Sequence, residues 1–114
     1  MAIVDCPLAE VPAFLTQIEH LNTLELTNNG LTSINGVLSQ LNELANLTIE
    51  KQSLQGLPDD LEALSGLKTL SLDDNGLQEL PEVVGGFEQL YSLSFRNNDI
   101  ENINEYFFSD LLAI

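Results

Sequence analysis

A period of 23 residues, free of insertions and deletions, limits this chain more than any other feature. Leu21, Leu24, Leu26, Asn29 and Leu31 recur as Leu44, Leu47, Ile49, Gln52 and Leu54. They recur again as Leu67, Leu70, Leu72, Asn75 and Leu77, and then as Leu90, Leu93, Phe95, Asn98 and Ile100. One period before Leu26, Asn29, Leu31, Ile34 and Leu41 stand Ile3, Cys6, Leu8, Val11 and Ile18, an incomplete first copy. A strict period of this length describes one supersecondary unit stacked on copies of itself. No unit can bury its own apolar set, so stability comes from its neighbours.

Each unit divides into two parts. Leu24 and Leu26 alternate with Thr23, Glu25 and Thr27, and a period of two marks a short strand with one buried face. Leu31, Ile34, Leu38 and Leu41 then carry the return path. The pairs Leu57-Pro58 and Leu80-Pro81 keep that path from starting as a regular helix, because the residue before proline is pushed out of the helical region. The asparagine between the two parts (Asn29, Asn75, Asn98) is expected to hydrogen-bond the backbone where the strand bends. Gln52 takes this position in the third copy, and its extra methylene is expected to strain the corner or swing outward. Cys6 takes it in the first copy.

The spacing Leu-x-x-Leu-x-Leu-x-x-Asn-x-Leu resembles the leucine-rich repeat family over nearly the whole chain. The second half, as in Leu77, Leu80, Pro81, Val84 and Phe87, is similar to the short intracellular type. The resemblance implies an α/β repeat fold: a leucine-rich repeat solenoid, wound as a right-handed α/β superhelix. A short-stranded parallel sheet would line its concave face, with irregular or helical-turn segments on the convex face. One domain, 1–114, would comprise a partial repeat at 1–20, full repeats at 21–43, 44–66 and 67–89, and a last repeat with an apolar tail at 90–114. Cysteine at the corner is tolerated by the family pattern.

Composition narrows the function. The chain has 23 leucines in 114 residues, which calls for a real core. Eighteen acidic against three basic side chains give a net charge of -15. Such a chain repels phosphate backbones and anionic headgroups, so neither nucleic acid nor a membrane is an expected partner. A single cysteine excludes an internal disulfide or a zinc cluster of several thiolates. The first residues have no basic and apolar signal segment, and no apolar run reaches the roughly 18 residues of a membrane span. A cytoplasmic location is expected, with a secreted bacterial effector lacking a classical signal as the alternative.

Candidate chemistry is thin. Cys6 and His20 fall at different points of the first copy and lack a third orienting group, so no catalytic residue is assigned. Asp73, Asp74, Asn75 and Gly76 look like the opening of a calcium loop, but Val84 holds the twelfth position where the loop needs glutamate. Asn46-Leu47-Thr48 matches a glycosylation sequon but lies on a strand in a chain without a secretion signal. No metal site and no cofactor is expected.

What remains is a surface. Outward-pointing strand residues form columns by phase: Thr23, Asn46, Thr69, Ser92; then Ala2, Glu25, Thr48, Ser71, Ser94; then Val4, Thr27, Glu50, Asp73, Arg96. A turn column of Asp5, Asn28, Lys51, Asp74 and Asn97 follows, with Lys51–Asp74 and Asp73–Arg96 expected to pair across adjacent strands. Families of this kind commonly bind partners on the strand face, so the resemblance implies a non-enzymatic protein-interaction module. Glu25, Thr48, Glu50, Ser71, Asp73, Ser94 and Arg96 are its expected contacts, and a partner protein with a basic surface is favoured. The alternative is a self-associating structural unit, or a fragment of a larger repeat protein or bacterial effector, that uses its uncapped ends. Tyr106, Phe107, Phe108, Leu111 and Leu112 are its candidate contacts, and the expected state is a monomer or an end-to-end homodimer.

Overall fold

A computed structural model of the chain describes residues 1–34 and 36–100. Among these residues five short strands, β1 (Ala2–Val4), β2 (Thr23–Thr27), β3 (Asn46–Glu50), β4 (Thr69–Ser71) and β5 (Ser92–Ser94), form one sheet in sequence order. All four pairings are parallel. The register follows the repeat: Glu25 lies opposite Ala2 on one side and Thr48 on the other, then Thr48 opposite Ser71 and Ser71 opposite Ser94. Equivalent positions of successive coils are therefore neighbours in space, and this is the solenoid the period predicts.

The return path contains only 3-10 helices among the described residues, at Ala13–Gln17, Leu38–Gln40, Asp59–Ala63 and Glu82–Gly86. Three of them start directly after a proline, Pro12, Pro58 or Pro81, held in extended geometry at φ near −65°. A coil that must close within 23 residues leaves room for one short turn here, and 3-10 geometry suits pieces of this length.

The core is a stack of leucine columns running from coil to coil. Leu15, Leu38, Leu61 and Val84 form one such column, and all four are buried. Leu24, Leu47 and Leu70 form a second on the inner side of the sheet, with Leu26, Ile49 and Leu72 beside them. Burial fades at both ends of the described stack, where Ile3, Leu8 and Ile18 in the first coil, Leu21 at the start of the second, and Leu93, Phe95 and Ile100 in the fifth are only partly buried.

Each strand leaves the sheet through a left-handed residue: Asp5, Asn28, Lys51, Asp74 and Asn97 have φ between 54° and 60°. Four of the five are aspartate or asparagine, the side chains that tolerate this region best after glycine. The turn is tied into the stack by its own N–H. Asp5 donates to the Thr27 carbonyl at 2.9 Å, Asn28 to Glu50 at 3.0 Å, Lys51 to Asp73 at 3.1 Å and Asp74 to Arg96 at 2.9 Å.

Corner amides complete the framework. Asn98 accepts the N–H groups of Asn75 and Leu77 at 3.0 Å each, and its amide nitrogen donates to the carbonyls of Leu72 and Phe95. Asn75 accepts from Gln52 at 3.0 Å and donates to Ile49 and Leu72. Gln52 corrects the expectation from sequence: it neither strains the corner nor swings outward. It is 6% exposed, and its Oε1 accepts the N–H groups of Asn29 and Leu31 at 3.1 Å each. The longer side chain fits because its amide nitrogen finds two acceptors, the Leu26 carbonyl and the Asn29 side-chain oxygen. In the first coil the Cys6 side chain is exposed, and it is the Cys6 carbonyl that the ladder uses, accepting from Asn29.

Candidate interaction face

The solvent-facing side of the sheet gathers all seven residues singled out from the sequence. Register places Glu25, Thr48, Ser71 and Ser94 in one row across β2 to β5. Glu50 stands at the end of β3, opposite Thr27, and Asp73 and Arg96 occupy the same place one and two coils on, just past β4 and β5. Six of the seven are half-buried by their neighbours; Arg96 is exposed.

Hydrogen bonds hold this face still. Ser71 Oγ donates to Glu50 Oε2, and one coil later Ser94 Oγ donates to Asp73 Oδ1 at 2.6 Å. Both links run diagonally, from the middle column of one coil to the outer column of the coil before. Thr27 Oγ1 donates to Glu25 Oε1 at 3.3 Å. Each acidic group of the face is therefore oriented by a hydroxyl. On the entry column Thr69 Oγ1 donates to Asn46 Oδ1 at 2.7 Å and Asn46 Nδ2 donates to Thr23 Oγ1 at 3.2 Å. The roles of Thr27, Thr23, Asn46 and Thr69 were not foreseen. The available signal was spacing: the Thr23, Asn46 and Thr69 links join equivalent positions one repeat of 23 residues apart, and Thr27 lies two residues along its strand from Glu25.

The expected ion pairs do not form. Among the described residues the salt bridge is His20 with Glu43 at 3.0 Å, not Lys51–Asp74 or Asp73–Arg96. Asp73 Oδ1 is instead taken by the Ser94 hydroxyl and, at 2.7 Å, by the Arg96 backbone N–H. A carboxylate on a short stem reaches these adjacent donors more readily than the end of a long, mobile guanidinium. Lys51, Lys68 and Arg96, the chain's three basic residues, all lie beside the ends of β3, β4 and β5. The 3-10 turns after Pro58 and Pro81 carry Asp59, Asp60, Glu62 and Glu82 with no basic residue in their last turns. Charge of both signs thus collects on the strand side, while the return side is acidic.

Tyr91, which no repeat position singles out, is 63% exposed at the entry to β5. Its backbone N–H donates to the Lys68 carbonyl at 2.9 Å. The candidates for self-association, Tyr106, Phe107, Phe108, Leu111 and Leu112, lie outside the described residues.

The other candidates gain nothing from the fold. Cys6 is exposed at the first corner, while His20 places its Nδ1 against Glu43, with side chains 82% and 55% exposed. Asn75, in the loop that looked like a calcium site, already accepts from Gln52. Among the described residues no group of three His, Cys, Asp or Glu side chains is arranged to hold a metal ion. No helix among them is long and apolar enough to cross a membrane.

No family model matches the chain, and no curated protein matches it. Solved structures do. A leucine-rich repeat protein of Leptospira interrogans superposes with a TM-score of 0.77 at 30% identity, over 85% of this chain and 24% of that one. The leucine-rich repeat domain of the type III effector XopL superposes with a TM-score of 0.63 at 20% identity, over 90% of this chain and 46% of that one. The chain therefore spans about a quarter of the first protein and under half of the second.

Proposed function

This chain is a leucine-rich repeat protein, and from that premise we propose that it is a non-enzymatic module that binds another protein on the solvent-facing side of its sheet. The observation that carries this reading is the row of Glu25, Thr48, Ser71 and Ser94 beside Glu50, Asp73 and Arg96, with the carboxylates oriented by hydroxyl donors. A surface whose backbone and side chains are already ordered loses little conformational entropy on binding, which is where pre-organised interfaces gain affinity. Glu25, Glu50 and Asp73 face a partner with basic side chains. The net charge of -15 speeds the encounter with such a partner, while the local pattern fixes its orientation. Binding in the cytoplasm, as a monomer or an end-to-end homodimer, completes the proposal.

The test is a capture experiment with three versions of the full chain. One is unchanged, one carries Glu25→Lys, Glu50→Lys and Asp73→Lys, and one carries Glu62→Lys, Glu79→Lys and Glu82→Lys. The two variants change the net charge equally, so a general electrostatic effect acts on both. A partner retained by the return-side variant and lost from the strand-side variant supports the proposed face. Equal loss from both variants refutes it.

A further inference from the structure

The corner amides of the later coils share one polarity. Asn98 turns its oxygen toward the fourth coil and accepts the N–H groups of Asn75 and Leu77. Asn75 turns its oxygen toward the third coil and accepts the N–H of Gln52. Gln52 does the same toward the second, accepting from Asn29 and Leu31. The rule fails at Asn29. Its nitrogen, not its oxygen, faces the first coil and donates to the Cys6 carbonyl at 3.0 Å. The Leu8 N–H goes to the backbone carbonyl of Asn29 at 2.8 Å, and the Cys6 N–H has no acceptor among the described residues.

The cause lies one coil further on. The extra methylene of Gln52 carries its Nε2 to within 3.3 Å of Asn29 Oδ1 while it also donates to the Leu26 carbonyl at 3.1 Å. Asparagine at this position is one carbon shorter. Asn75 and Asn98 spend the same nitrogen on backbone carbonyls, with no side-chain link to the amide before them. A primary amide has its donor and acceptor on opposite arms. Gln52 holds the Asn29 oxygen on its own side, and that turns the nitrogen toward Cys6.

We propose that Gln52 is a positioning residue that reverses the Asn29 amide and thereby sets how the first coil, two coils away, is attached. The first coil matters to the strand face because the Glu25 N–H donates to the Met1 carbonyl at 2.9 Å, so its docking holds the backbone beneath Glu25. The inference rests on corner hydrogen bonds alone and stands whether or not that face binds a protein.

Amide hydrogen exchange on the full chain, with and without Gln52→Asn, tests it. The shorter amide still accepts the Asn29 and Leu31 N–H groups but no longer reaches Asn29 Oδ1. Asn29 then rotates its oxygen to the first coil, as Asn75 and Asn98 do. The expected result is that the Cys6 N–H exchanges about threefold to tenfold more slowly in the variant, the range for one net hydrogen bond. Exchange at Asn29 and Leu31 should not change. An unchanged Cys6 rate overturns the proposal. Should the variant fail to fold, the unmodified protein decides through scalar couplings across hydrogen bonds. A coupling from Asn29 Nδ2 to the Cys6 carbonyl carbon supports the reversed amide, and a coupling from the Cys6 N–H to the Asn29 side-chain carbonyl overturns it.

Discussion

Replacing Asn75 by alanine tests whether the corner ladder or the leucine stack governs stability. Asn75 is 2% exposed and its side chain makes three hydrogen bonds, accepting from Gln52 and donating to Ile49 and Leu72 at 2.7 and 2.8 Å. Alanine removes all three. The Gln52 N–H is left without its acceptor inside the stack, a loss of about 1–3 kcal/mol, and each carbonyl loses a bond worth a net of about 0.5–1.5 kcal/mol. The vacated space is polar and admits a water, which recovers part of that sum. The expected destabilisation is therefore about 3 kcal/mol, a large share of the roughly 5–15 kcal/mol that holds a domain folded. With an unfolding entropy of about 2.1 cal/mol/K per residue, 114 residues convert 1 kcal/mol to about 4 °C, so Tm should fall by about 12 °C. Urea denaturation gives the same quantity from the midpoint, provided the slope does not change. Thr48→Ala, on the half-buried strand face, serves as the control and should stay within about 0.5 kcal/mol. A loss below about 1 kcal/mol for Asn75→Ala would mean that the corner is solvated in solution and the ladder incidental.

Lys51→Asn should raise the urea midpoint by the equivalent of about 0.5–1 kcal/mol, because Lys51 sits at φ 55°, where the equivalent positions carry asparagine or aspartate. Leu72→Ala should cost about 2–5 kcal/mol in the same assay, since Leu72 is wholly buried in the leucine stack and the rigid coils on either side collapse only partly into the space. Glu43→Gln should change thermal stability by less than about 0.5 kcal/mol, because the His20–Glu43 pair is largely exposed and screened by solvent. Cys6→Ser should leave the melting temperature unchanged, as the ladder uses the Cys6 carbonyl and not its thiol.

The sequence by itself determined the architecture. A repeat of 23 residues without a single slip, with leucine at fixed offsets, admits one stacking arrangement. The strand columns read from phase, such as Glu25, Thr48, Ser71 and Ser94, are the columns that the register shows. Periodicity reports which positions share a face, and pairing in a regular solenoid is the same information read sideways. The prolines also announced that the return path would not begin as an α-helix, since their backbone restriction is local.

Only the tertiary structure decided what those side chains do with one another. Sequence offered Asp73 and Arg96 as an ion pair, but the carboxylate is held by the Ser94 hydroxyl and the Arg96 main chain. Sequence treated Gln52 as a misfit, but a second acceptor one coil away makes its extra length useful. Both outcomes turn on which donor and acceptor come within about 3 Å once the coils are stacked. The period that fixes the columns carries no record of that distance, because a hydrogen bond depends on side-chain reach and competing partners rather than on residue spacing.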